Sequence, residues 1–186
     1  MKIDLGVECL LGVASLHPIY ELLTTLPRPV KNVWRTRKVT MNESEFIYQI
    51  DCNFPYHDRQ EASHLIDLAC QLSPNAAFMV AYELRRPPHG KKNKLNQMML
   101  LDMLNELDEK FEHPIKPMIF SICRKLIQGQ HVTGAEALIA LDHLKDYPDQ
   151  YNAAAIAYFS CDDEMQMEQV DQQYQSLIQS WKSRGV

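Results

Sequence analysis

The sequence lacks the short motifs that identify many phosphate-binding, zinc-dependent and serine-nucleophile enzymes. It contains no GxSxG, no GxxxxGK[ST], no GxGxxG and no HExxH. It also has no apolar run of about eighteen residues, the length needed to cross a bilayer, and its best candidate, Val7–Leu16, contains Glu8. We therefore expect a protein that is not an enzyme, binds no cofactor and does not span a membrane.

The sequence also lacks closely spaced cysteines. Five cysteines are scattered along the chain, with no CxxC pair and no short spacing to histidine. This predicts buried, reduced thiols rather than a disulfide framework or a zinc site. The amino-terminal residues include Lys2 and Asp4 but no clear small-residue cleavage site, which argues against a secretory signal. We expect a cytoplasmic protein.

Histidine spacing gives no metal site either. His57 and His64 are the best pair, but two turns of helix would separate them by roughly 10 Å along the axis. That distance is too long for both side chains to reach one ion. We therefore expect no metal, although His131, Asp142 and His143 could still converge in a way that the sequence does not show.

The net charge of −5 is distributed unevenly. Residues 1–94 carry twelve Lys and Arg against ten Asp and Glu, a charge of +2, whereas residues 95–186 carry seven against fourteen, a charge of −7. An acidic second half disfavours contact with phosphate backbones and favours a basic protein partner. Solubility alone would also account for such a charge.

Helical periodicity dominates from Asp58 onward. Start signals occur at Asp58, at Ser73-Pro74 and at Thr133, and Gly129 marks a helix end. The linker Pro87–Lys94 separates the helices of the two halves. The predicted helices cover residues 5–16, 18–26, 58–72, 74–86, 94–111, 114–128, 133–146, 149–161 and 163–182.

The stretch Asn32–Asp51 has a different pattern. Two runs rich in β-branched and aromatic residues, VWRTRKVT and EFIYQI, alternate with period two around Met41–Ser44. This pattern predicts a β-hairpin that packs against the helices.

The alanine-rich segment Asp149–Cys161 predicts an inner helix. Its small side chains allow neighbouring helices to approach closely, and its aromatic and isoleucine side chains supply apolar area. The predicted fold is mainly α, with stacked helical hairpins, either solenoid-like or an irregular bundle, and one β-hairpin near residues 32–51. We expect one domain over residues 1–186, with a hairpin-containing part at 1–86 and an acidic helical part at 95–186.

These features favour a non-catalytic protein-binding module that docks an acidic helical surface on a basic partner. Small cytoplasmic inhibitors and immunity-type proteins that neutralise basic toxins share this character. The candidate partner-binding residues are acidic residues near the alanine-rich helix: Asp146, Asp149, Asp162, Asp163, Glu164 and Glu168.

Nucleic-acid binding is the alternative hypothesis. A basic hairpin carrying Trp34, together with the basic residues in and next to the linker, could follow a phosphate backbone. The residues that would make these contacts are Arg35, Arg37, Lys38, Arg85, Arg86, Lys91, Lys92 and Lys94.

Overall fold

The structure, a computed structural model, describes residues 41–86 and 95–185. These residues form eight α-helices and no β-strand. The helices are α1 (Glu43–Asn53), α2 (Arg59–Leu72), α3 (Pro74–Arg85), α4 (Gln97–Lys110), α5 (Lys116–Ile127), α6 (Gly134–His143), α7 (Tyr151–Ser160) and α8 (Met167–Ser183). A 3₁₀ turn, Leu144–Asp146, follows α6. No helix among them is long and apolar enough to cross a membrane.

The β-hairpin prediction is wrong, because its second strand is the helix α1. The Asn42 side chain accepts a hydrogen bond from the backbone N–H of Glu45 and so caps the helix. Phe46, Ile47 and Ile50 are buried and lie on one helical face. The other predicted strand, in residues 32–40, lies outside the described residues.

Local start signals predicted three helices well. Asp58 accepts from the backbone N–H groups of Gln60 and Glu61, and Ser73 accepts from that of Ala76. Thr133 and Glu136 form a complete capping box at the start of α6.

The corner between α4 and α5 depends on Lys116, which is 7% exposed. Its ammonium group donates to the backbone carbonyls of Asp108 and Phe111 at 2.8 Å and so satisfies the end of α4. It also forms ion pairs with the carboxylates of Asp108 and Glu112, at 3.1 Å and 3.2 Å. Helix α5 therefore begins at Lys116, two residues after Pro114, where the sequence predicts its start.

Two helices, α3 and α7, occupy the interior. Helix α3 lies against α1, α2, α4, α5 and α7, and α7 lies against α3, α5, α6 and α8. The prediction of an inner alanine-rich helix is confirmed, since eight of the ten residues of α7 are buried. In a solenoid each hairpin contacts only its neighbours, whereas here α3 of the α2–α3 hairpin packs on α7, two hairpins further along. The described helices thus form a bundle around one continuous core.

Candidate protein-docking surface

The six predicted acidic residues fall into two groups at opposite ends of α7. Asp146 and Asp149 precede this helix, whereas Asp162, Asp163, Glu164 and Glu168 follow it. A helix of ten residues is about 15 Å long, so the two groups cannot act as one compact site.

The first group is small. Asp146 ends the 3₁₀ turn and Asp149 adopts a positive φ of 73° in the turn before α7. Both residues are exposed, and neither forms an ion pair within the described residues. Two separate carboxylates in a turn offer little area for a partner.

The second group belongs to a continuous stretch, residues 162–168, which we name the acidic segment. Asp162 fastens this segment to the loop before α6: its side chain pairs with Nδ1 of His131 at 2.7 Å and accepts from the backbone N–H of Val132 at 3.2 Å. Its own N–H donates to the carbonyl of Val132 at 3.4 Å. Asp162 therefore has a structural role.

Asp163 adds a second attachment to the same loop. One carboxylate oxygen accepts from the N–H of Gly134 at 3.3 Å, and the other accepts from the N–H of Met165 at 3.1 Å. The acidic segment lies so close to the start of α6 here that a Cβ atom at position 134 would overlap the side chain of Gln166. The segment is held in one arrangement against the start of α6.

Electrostatics keep Asp162 ionised. Partial burial by itself raises the pKa of this carboxyl, but the hydrogen bonds from His131 and Val132 lower it below its usual range. The sequence places Asp162–Glu164 at the amino end of the last helix, yet α8 begins only at Met167. The carboxylates of Asp162 and Asp163 thus support a loop contact rather than the first helical turn.

The exposed members of the acidic segment surround a methionine. Met165 is 96% exposed, the highest value among the exposed large apolar residues of the described chain. Glu164 precedes it directly and Glu168 follows on the first turn of α8, and both are exposed. An apolar side chain therefore projects from this loop beside two exposed carboxylates, of which that of Glu168 accepts a hydrogen bond from the side chain of Gln172 at 3.4 Å.

Most cations of the second half are already paired inside the fold. Five of its seven Lys and Arg side chains form ion pairs with carboxylates: Lys110, Lys116, Arg124, Lys125 and Lys145. The other two, Lys182 and Arg184, lie at the carboxyl end of α8, about 25 Å of helix from its start. Glu164 and Glu168 consequently have no Lys or Arg partner in the described part of the chain.

Two residues of the alternative basic set, Arg85 and Arg86, lie in the described part of the chain. Arg85 is 6% exposed, and its guanidinium carbon lies 3.4 Å from the ring centre of Tyr82. Arg86 is exposed. The remaining six lie outside the described residues: Arg35, Arg37, Lys38, Lys91, Lys92 and Lys94.

Metal-binding chemistry has no basis in the described residues. No three His, Cys, Asp or Glu side chains there come together as a metal would require. Asp142 pairs with Lys145 instead of joining His131, which bonds to Asp162.

Sequence reasoning did not identify Met165 or the loop at 131–134 as parts of this surface. The sequence predicts a helix over residues 163–182 that would include Met165, whereas α8 begins only at Met167 and Met165 lies in the exposed loop before it. The hydrogen bonds from the loop at 131–134 to Asp162 and Asp163 join residues about thirty positions apart. No local sequence pattern predicts such contacts.

Comparison of the chain with protein-family models, with curated proteins and with solved structures found no match. The function proposed below therefore rests on the geometry of the chain itself.

Proposed function

We propose that this protein is a non-catalytic binding module that docks the acidic segment, residues 162–168, on a basic protein partner. The observation that carries the proposal is the side chain of Met165, which is almost fully exposed between carboxylates in a loop fixed by Asp162 and Asp163. An inhibitor or immunity-type protein of the cytoplasm fits this description.

The energetics of protein interfaces support this choice. Interfaces draw most of their binding energy from a few apolar or aromatic side chains near the centre, surrounded by a polar rim. Methionine is enriched in such interfaces, and Met165 would be the central contact. A loop that is already fixed loses less conformational entropy on binding than a mobile one does.

Charge defines the class of partner. Glu164 and Glu168 are exposed and have no Lys or Arg partner in the described residues, so their charges are available to a cation from outside. Complementary charges at the rim steer association and select partners. The partner would offer an apolar pocket bordered by Lys or Arg.

Photocrosslinking tests the proposal directly. A photoactivatable amino acid replaces Met165 in one variant and Met98, which is 68% exposed at the start of α4, in a matched control. We expect position 165 to crosslink one basic protein that position 98 does not. Crosslinks to nucleic acid, or identical products from both positions, would contradict the proposal.

A further inference from the structure

Met165 has the most accessible thioether among the methionines that the structure describes. It is 96% exposed, whereas Met98, at the start of α4, is 68% exposed. Met79 and Met103 are buried in the core, and Met167, the first residue of α8, packs against that core. A reagent dissolved in water therefore reaches the sulfur of Met165 more readily than that of any other described methionine.

The loop around Met165 is held in place without its side chain. Asp162 and Asp163 attach the acidic segment to Val132 and Gly134 through their carboxylates. Met165 contributes only its backbone N–H, which donates to the Asp163 side chain at 3.1 Å. A chemical change at the sulfur therefore leaves the attachment of the loop intact.

The sulfur of an exposed methionine reacts with hydroperoxides. A sulfur lone pair attacks the terminal peroxide oxygen, the O–O bond breaks, and the proton of the attacked oxygen passes to the departing one. The thioether loses two electrons and becomes a sulfoxide, while the hydroperoxide is reduced to an alcohol, or to water where it is hydrogen peroxide. A methionine sulfoxide reductase reverses the change with two electrons from a dithiol, which becomes a disulfide as the oxygen leaves in water.

Oxidation changes the property on which the docking surface depends. A sulfoxide is polar, whereas the thioether of Met165 is the apolar centre of the proposed contact. In an apolar pocket of the partner, the sulfoxide oxygen would lose its bound water without gaining a hydrogen bond, which opposes binding. A docked partner would in turn cover the sulfur.

We propose that Met165 is a reversible oxidation site for hydroperoxides and that its sulfoxide prevents the acidic segment from docking on the basic partner. This inference rests on the docking function proposed above. Docking and oxidation then exclude each other: the docked protein is protected from peroxide, and the oxidised protein does not dock.

Peptide mass spectrometry tests the site without any partner. In the folded protein treated with dilute hydrogen peroxide, we expect sulfoxide to form faster at Met165 than at Met98 and to be absent from Met79 and Met103. The melting temperature should not change, because the loop does not depend on the thioether. Slower oxidation at Met165 than at Met98 would overturn the assignment of the site.

The effect on docking is measured with the basic protein that position 165 captures by photocrosslinking. Treatment of this chain with peroxide, which is removed before mixing, should raise the Kd at least about tenfold. A methionine sulfoxide reductase with a dithiol should reverse the rise. Met98→Leu should respond to peroxide as the wild type does, whereas the Kd of Met165→Leu should be the same before and after treatment.

The results distinguish the oxidation site from the docking function. If untreated and oxidised wild type bind the captured protein equally well, the oxidation switch is wrong and the docking function stands. A loss of binding that peroxide also causes in Met165→Leu would place the effect at another residue and overturn the switch. If position 165 captures no basic protein, the docking function is wrong and the switch is wrong with it.

Discussion

Asn75 and Asn152, 77 positions apart in the sequence, form two hydrogen bonds with each other between the two central helices. The side-chain oxygen of Asn75 accepts from the backbone N–H of Asn152 at 3.0 Å, and the Asn152 side chain donates to the backbone carbonyl of Asn75 at 3.0 Å. Gln150, at the N-cap position of α7, makes no side-chain cap. Asn75 therefore satisfies from α3 a donor that α7 cannot satisfy locally.

Loss of this pairing should weaken the whole bundle. Asn75→Ala leaves the buried backbone N–H of Asn152 without its acceptor and removes the donor to the half-buried carboxylate of Glu43, at a cost of about 1–3 kcal/mol in the free energy of unfolding. Urea denaturation measures this cost. Asn53→Ala, on the exposed end of α1, is the matched control and should change stability by less than about 0.5 kcal/mol. Equal effects of the two substitutions would show that the asparagine pair contributes nothing.

This pair also illustrates which contacts of the fold can be predicted from the sequence and which cannot. Helix starts at Ser73 and Thr133 were predictable because an N-cap bond joins residues only three apart. The Asn75–Asn152 contact has no such signal, since each asparagine by itself resembles any polar residue in a first helical turn.

Helix α1 shows a different limit. Phe46 and Ile50 are spaced correctly both for a strand of period two and for one face of a helix. The signal that distinguishes the two is the N-cap Asn42, which the hairpin prediction places in the turn between the strands. In the proposed docking surface, the acidic residues can be predicted from the sequence. Which of them hold the loop in place, rather than face solvent, depends on contacts with residues about thirty positions away.

The close approach of Gly134 to Gln166 gives the next prediction. Gly134→Ala should destabilise the protein by about 1–3 kcal/mol, because the added methyl group overlaps the Gln166 side chain. Gln166→Gly in the same chain should restore part of the loss, whereas Gln166→Ala should not, because it keeps the Cβ atom. Thermal unfolding compares the variants; a stable Gly134→Ala protein would show that the acidic segment is not held against α6.

Glu106 links α2 and α4, and its ionisation predicts sensitivity to acid. Burial by itself raises the pKa of this carboxyl, but bonds from Lys110, Ser63 and Arg59 together lower it to about 2. The ionised form is thus favoured more in the folded than in the unfolded state. Its contribution is full above the ordinary pKa of 4.5 and disappears as the pH falls toward 2.

Chemical denaturation between pH 6 and pH 2 measures this contribution, which we expect to reach up to about 3 kcal/mol. Glu106→Gln should be less stable at pH 6 and should lose less stability on acidification than the wild type. Glu109→Gln, an exposed neighbour on α4, should follow the wild type. Parallel curves for all three proteins would contradict the assignment.

The close packing around α7 predicts that a larger side chain on this helix destabilises the protein. Ala154 is fully buried, so Ala154→Leu should cost about 1–3 kcal/mol through overpacking. Ala135→Leu adds the same atoms to the exposed face of α6 and should be nearly neutral. Melting temperatures of the two variants give the comparison; an unchanged value for Ala154→Leu would mean that α7 is not packed closely by its neighbours.

The most direct test of the docking function is the association rate constant for the purified basic partner, measured at low and high salt. The double variant Glu164→Gln/Glu168→Gln should bind more slowly at low salt, and this difference should shrink at high salt because salt screens the remaining charges. Asp102→Asn/Glu109→Gln removes the same charge from the exposed face of α4 and serves as the control. We predict that only the first variant slows association markedly; equal slowing by both variants, or by neither, would contradict docking through the acidic segment.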